Sequence, residues 1–451
     1  MKQSMPFGLY ISIPFCRTKC SYCNFASDVF SKSAYENYVA RVLEDIANSR
    51  QLAMELGCTC DDTADSIYLG GGTPSILEAA QLLRIFAAVR THFAVTPDAE
   101  ITVECAPGTL TPSFIETLLQ CRVNRVSLGV QSFVDQEAQS VGRLHKRSTV
   151  LEEIGRLREA GLANINIDLI VGLPHQTAES WAFSLAETIA TGVPHVSVYM
   201  LEVDEDSRLG RELIAGGARY HAHFVPDDDA TADCYQQACQ MLASAGIAQY
   251  EISNFARTAT HSQNGESQSS ESRLNLKYWT RQPYLGFGVD AHSMLELPMW
   301  GRAPSPVQAE RSSAVASGHG NSGFSIGGIE AVRHQALRFA TPDSLDAYMI
   351  RAPHSVTPVS AQAAIEESFF LGLRLNRGID LERLRADFSP MFSQAVATWE
   401  SAIQQCAHEG LLEQQGATLR LTTRGRLLSN EVFARFLTEE TKVGTGHVNP
   451  R

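Results

Sequence analysis

At 451 residues, 44% of them apolar and 19% charged, the chain is long enough for a barrel-sized domain with a smaller partner and too apolar to be disordered throughout. Its net charge of −13 excludes a general nucleic-acid binder, because a phosphate backbone rewards a basic surface, although a local basic pocket stays open. Ten cysteines are too sparse for a disulfide scaffold, no apolar signal segment precedes Tyr10 and no run of about 18 apolar residues occurs, so the expected setting is a reducing cytosol without a membrane span.

The first half alternates short β-rich runs with longer helical patterns, the rhythm of repeated βα units. Strands are predicted at 9–13, 66–69, 100–104, 125–130, 164–170 and 195–200, and helices at 34–56, 77–92, 112–119, 149–160 and 178–190. Six such units imply an α/β fold built as a partial (β/α)6 TIM-like barrel, in which right-handed crossovers bring every strand's C-terminal end to one rim.

Residues that can do chemistry collect at that rim. After the first strand come Cys16, Cys20 and Cys23, spaced to hold an iron-sulfur cluster while leaving one iron without a protein thiolate. That iron could take nitrogen and oxygen donors from a small molecule. The competing readings are a three-ligand zinc site, which lacks its usual fourth Cys or His nearby, and unrelated thiols. Gly70, Gly71 and Gly72 follow the second strand with Thr73 and Pro74, as a tight turn or as a cradle where backbone approaches a ligand. Glu104 ends the third strand, Gln131 the fourth, and Asp168 lies in the fifth ahead of Gly172. The two acids either cap a neighbouring helix or pair with a basic residue such as Arg125 or Arg143, or they hold the ammonium or ribose hydroxyls of an adenosyl amino acid. Cys58 and Cys60 have no matching pair, and the remaining cysteines read as packing residues.

Farther along, 261–272 is a polar Ser/Gln/Glu-rich loop and 303–327 a second surface excursion. Beyond about 330, helices at 361–373 and 391–408 and a hairpin over 411–421 suggest a smaller, mainly helical, winged-helix-like domain. It has no basic face, so a lid or a partner-docking module is expected in place of DNA binding. The expected division is a barrel over 1–250, a connecting region over 251–330 and an accessory domain over 331–451.

Cys-x3-Cys-x2-Cys after one strand and Gly-Gly-Gly-Thr-Pro after the next, with YISIPFC from Tyr10, YLGGGTPS from Tyr68, SLGVQSF from Ser127 and NIDLIVGLP from Asn166, resemble the radical S-adenosylmethionine (SAM) superfamily. The resemblance is to its coproporphyrinogen-oxidase-like branch and covers most of the chain. It implies that Cys16, Cys20 and Cys23 ligate a [4Fe-4S] cluster whose fourth iron chelates SAM. It also implies SAM contacts from Tyr10, Tyr22, Gly71, Gly72, Thr73, Glu104, Gln131, Arg143 and Asp168. The chemistry implied is one-electron cleavage of a sulfonium C–S bond.

Two sub-branches differ at Phe25, where the oxygen-independent coproporphyrinogen oxidases carry a further cysteine. HemW-type haem chaperones lack it and carry His-Asn-x-x-Tyr-Trp downstream; here the stretch runs from Leu274 through Asn275, Tyr278 and Trp279, with Tyr284 to His292 following. The resemblance therefore implies haem or porphyrin binding, delivery to haem-accepting apo-proteins including membrane-bound ones, an electron donor and no nucleic acid. The implied place is the cytoplasm, with peripheral contact at the membrane. Leu274 cannot ligate haem iron as a histidine would, which leaves His261 and His292 as candidate substitutes. The alternative is an oxygen-independent coproporphyrinogen III oxidase-like enzyme of porphyrin biosynthesis. Whether the cofactor turns over is left open.

Overall fold

A computed structural model describes residues 5–58, 62–205, 207–257, 269–297, 334–389 and 391–437; Cys60, His261 and the stretch 303–327 lie outside them. Six parallel strands form its centre: β1 (Phe7–Ile13), β2 (Thr63–Gly71), β3 (Ala94–Cys105), β4 (Arg125–Gln131), β5 (Ile165–Val171) and β6 (His195–Met200). They hydrogen-bond in chain order and each coincides with a predicted strand. Between them run α1 (Lys32–Glu55), α2 (Ala79–His92), α3 (Pro112–Gln120), α4 (Asp135–Ser140), α5 (Arg147–Glu159) and α6 (Ala178–Thr191). Only α4 has no predicted counterpart, because six residues span too few turns for a helical period to show.

The alternation of side chains along these strands makes the site. Leu9, Ile11, Ile67, Leu69, Val126, Leu128, Ile167 and Leu169 face the helices and are almost wholly buried. Burial of each such side chain contributes about 1.5–3 kcal/mol. The residues between them, Tyr10 and Ser12, Tyr68, Thr102 and Glu104, Ser127, Asn166 and Asp168, His195 and Ser197, turn inward, so the barrel has a polar lumen inside an apolar wall.

After β6 come α7 (Arg208–Ala215), α8 (Asp228–Ser244), β7 (Ile247–Gln249) and β8 (Asn254–Arg257), then α9 (Arg273–Trp279) and β9 (Tyr284–Phe287). β8 pairs antiparallel with β6 and β9 parallel with β1. Antiparallel β10 (His292–Glu296), β11 (His334–Ala340) and β12 (Ser355–Ser360) extend the β9 edge. Among the described residues the sheet has twelve strands and ends at β12 and β7, an open barrel and not a closed ring. β11 and β12 join residues 334–360 to it by backbone hydrogen bonds.

A second core forms around Phe369, Phe392, Trp399 and Phe436, from helices Ala361–Leu373 and Met391–His408 and a small sheet of Ile379–Asp380, Leu412–Gln415 and Thr418–Leu421. The predicted helix–helix–hairpin order is present there. No helix among the described residues is long and apolar enough to cross a membrane.

Candidate functional site

The cysteine loop leaves the end of β1 and is braced from three sides. Gly72 N–H donates to Ile13 O (2.9 Å) and Thr73 N–H to Phe15 O (2.8 Å), continuing the β1–β2 ladder past the strands. Gly72 has to lack a side chain, since a β-carbon would stand 2.6 Å from Ile13 O and 2.8 Å from Phe15 O. Gly71 holds φ at +98°, a conformation glycine adopts freely. The triplet is therefore first a device for seating the loop. From the second side, Ser21 N–H donates to Val141 O (3.2 Å) and Thr18 Oγ1 to Gly142 O (3.0 Å). From the third, Leu209 N–H of α7 donates to Ser21 O (2.8 Å).

On this loop Cys16, Cys20 and Cys23 are free thiols, Cys20 buried and the other two half-buried. The Thr73 hydroxyl points at Cys16 Sγ (3.7 Å), and Ser27 Oγ lies 3.9 Å from Cys23 Sγ. Among the described residues no three Cys, His, Asp or Glu side chains converge around a single-ion position.

Beneath the loop lies the polar lumen. Arg143 Nη2 donates to Tyr22 OH (3.0 Å), and Gln131, at φ +68°, ends β4 beside that guanidinium. Tyr68 OH donates to Glu104 Oε1 (2.8 Å), while Asp168 accepts from Ser127 Oγ (2.9 Å) and Asn166 Nδ2 (2.7 Å). Protein surrounds both carboxylates, yet each keeps accessible surface toward the lumen. Burial, then the charge of Asp168, pushes Glu104 up to about 7, against the pull of the Tyr68 hydroxyl. Burial also raises Asp168. Neither acid makes an ion pair with Arg125 or Arg143 within 4.0 Å among the described residues; Arg125 is set against Glu100 lower in the barrel. Glu104 is thus an under-compensated acid that a cationic group would complement.

Tyr68, Ser127 and Asn166, which open three of the sequence motifs but have no role assigned by them, and His195, which lies in none, carry the hydrogen bonds below the rim. Asn166 Oδ1 lies 2.6 Å from His195 Nδ1, and His195 Nε2 3.0 Å from Tyr250 OH. The signal for them is the polar residue at every second position of otherwise apolar strands. A separate cleft between α6 and α8, lined by Gln176, Thr231 and Cys234, shares none of the predicted site residues.

Residues 10–186 match the family model described as the radical SAM superfamily, and residues 359–428 the HemN C-terminal domain. The heme chaperone HemW of Bacillus subtilis is 30% identical over 432 residues, 95% of this chain and 99% of that one. This chain belongs to the HemW family of radical SAM proteins. HemW of Escherichia coli is 32% identical over 294 residues, 65% of this chain and 71% of its own. The solved coproporphyrinogen III oxidase HemN of Escherichia coli superposes with a TM-score of 0.72 at 21% identity, covering 96% of this chain and 90% of that one, a likeness of fold.

A radical SAM protein of the HemW family works with a [4Fe-4S] cluster and SAM, and the rim fits both. Three free thiols share one braced loop, and a cubane takes each thiolate on a different iron, so its ligands stand farther apart than those around one zinc ion. Beside them are the half-buried Arg143 guanidinium, an under-compensated carboxylate and glycine backbone.

Leu274 lies elsewhere. It is buried at the opposite, N-terminal end of the barrel, where α9 plugs the floor against Gly8, roughly 17 Å along β1 from the start of the cysteine loop. Lys277 fixes the plug through Asp65 (2.9 Å) and Pro6 O (2.8 Å), and Trp279 lies under the Arg374 guanidinium at 4.2 Å. In this HemW-family chain the motif is a structural seam, and a histidine at 274 would face packed side chains. His292 does reach the rim, half-exposed, 3.9 Å from Asp290, just past the end of β9 beside Ser12.

Proposed function

We propose that the chain is a haem chaperone that binds haem beside its cluster and SAM and passes it to haem-free acceptor proteins. One observation carries the reading: the end-to-end likeness to HemW, with Phe25 where the oxidase branch has a further cysteine. Cys16, Cys20 and Cys23 ligate the cluster, and Tyr10, Tyr22, Gly71, Gly72, Thr73, Glu104, Gln131, Arg143 and Asp168 surround SAM. Glu104 offers its carboxylate to the N–H groups of the iron-chelating amine, Arg143 its guanidinium to the carboxylate, and Asp168 its oxygens to the ribose hydroxyls. When bound, cluster and SAM supply one-electron cleavage of a C–S bond. The lumen residues orient the cofactor and exclude water. An electron donor feeds the cluster, and the setting is the cytoplasm, with peripheral contact at the membrane where acceptors are membrane-bound.

Anaerobic mixing of the cluster-reconstituted, haem-loaded chain with a haem-free b-type cytochrome tests this. The reading expects the acceptor's Soret band to grow as the donor's declines; transfer no faster than from free haem would count against it.

A further inference from the structure

With Leu274 sealed in the floor, haem iron needs another ligand. Two turns on the cluster side of the barrel meet: the one after β5 through His175, and the one after α7 through His221 and His223. His175 N–H donates to Phe224 O (3.0 Å), and His175 Nε2 lies 3.3 Å from His221 Nδ1. The Phe224 ring stands 4.1 Å from the His175 ring and 4.2 Å from that of His223. Both His175 and His221 hold a left-handed backbone, at φ +68° and +63°. Residues with a β-carbon seldom adopt this conformation, and where they do it clusters at functional sites. Glu212 keeps the turn in place by accepting from the backbone N–H groups of Arg219 (2.8 Å), Tyr220 (2.7 Å) and Ala222 (3.1 Å).

The same turn borders a cleft lined by Arg208, Arg211, Arg219 and Tyr220. Three arginines against the one carboxylate of Glu212 leave this cleft net positive in a chain whose net is −13. Leu213, Ile214 and Phe224 are exposed by 53%, 67% and 48%, so apolar surface lies next to the cations. The face also abuts the cluster loop, since Leu209 N–H donates to Ser21 O (2.8 Å) and Arg208 Nη1 to Lys19 O (3.2 Å).

We propose that this face is the haem-docking site: His221 ligates the iron, Phe224 packs against the ring, and the arginine cleft takes the propionate carboxylates. The proposal rests on the haem reading above. Apolar surface beside guanidinium forks is the complement of a flat apolar ring bearing carboxylates. In the tautomer with the proton on His221 Nδ1, that N–H donates to His175 Nε2 and the lone pair of His221 Nε2, on the other side of its ring, is left for iron; His221 supplies both electrons of that bond and no redox change occurs. His175 is a positioning residue.

The test titrates the full-length, cluster-reconstituted chain with ferric haem and, separately, with iron-free protoporphyrin, read by Soret difference spectra and tryptophan quenching, with circular dichroism to check folding. His221→Ala is expected to move the Soret maximum and weaken haem by about tenfold or more while leaving protoporphyrin affinity unchanged. Joint replacement of Arg211 and Arg219 by Ala is expected to weaken both ligands. His175→Ala is expected to alter the Soret band and His175→Gln, which keeps an acceptor, to restore it. A folded His221→Ala chain with wild-type Soret and affinity overturns this proposal alone, and more so if His292→Ala abolishes binding. A wild-type chain that binds no haem overturns the haem reading with it.

Discussion

Leu274 of α9 packs on Gly8 of β1 so closely that a β-carbon on Gly8 would collide with Leu274 Cδ1. The contact closes the barrel floor and makes a stretch that resembles a haem motif into part of the scaffold. Restoring a histidine there, Leu274→His, buries an imidazole among apolar and backbone neighbours and is expected to cost about 1–3 kcal/mol. Haem spectra should stay unchanged. Thermal unfolding together with a haem titration checks both halves, and a new Soret species in the variant would show that position 274 is open to haem after all.

Cys20 is the most buried of the three rim thiols and sits where the 141–142 turn presses on the loop. Cys20→Ser is expected to abolish the charge-transfer absorbance of the reconstituted cluster with little change in far-ultraviolet circular dichroism, because the loop is seated by backbone hydrogen bonds. A variant with the full spectrum would remove the ligand assignment.

Glu104 is expected to link pH to SAM binding. Its carboxyl is raised from 4.5 to about 7 in the folded chain, so the folded state holds this proton more tightly than the unfolded one. The stabilising contribution is complete below about pH 4.5 and is lost as pH rises through about 7. The N–H groups of the bound amine favour the ionised carboxylate as their acceptor, so SAM affinity should rise between about pH 6 and 8. Glu104→Gln is expected to lower affinity about tenfold to a hundredfold and to flatten the pH dependence. Equilibrium dialysis at fixed ionic strength measures this; an unchanged slope in the variant would assign the dependence to another group.

Glu367 accepts Arg281 Nε at 2.8 Å and Arg338 Nη1 at 2.7 Å, with its own side chain 4% exposed. It ties the helix that opens the second core to β11 and to the turn before β9. Glu367→Ala leaves two cations facing each other without a counter-charge and is expected to cost about 3–5 kcal/mol in urea unfolding. A cost under about 1 kcal/mol would mean that water or a rearranged carboxylate replaces the triad.

The barrel was legible because its strands are apolar on one face and bounded by turn residues, and because α1, α2 and α6 keep a helical period over 24, 14 and 14 residues. The rim was legible for a different reason: chemistry-bearing residues follow the ends of parallel strands, which topology brings together. The lumen network is less visible. Asn166 and His195 read as ordinary polar residues until the barrel sets them 2.6 Å apart. The His175–His221 contact joins residues 46 positions apart through turns without periodicity. The floor misleads most, since the local pattern around Leu274 carries no information about which end of the barrel α9 closes.

A haem carrier and a porphyrinogen oxidase would use the same rim to different ends. The most direct measurement is anaerobic incubation of the cluster-reconstituted chain with SAM and a reductant, offering haem and coproporphyrinogen III in separate reactions and following haem binding, carbon dioxide and deoxyadenosine. Tight haem binding and no carbon dioxide from coproporphyrinogen is the outcome expected of a haem carrier. Carbon dioxide released together with deoxyadenosine when coproporphyrinogen is added would contradict it.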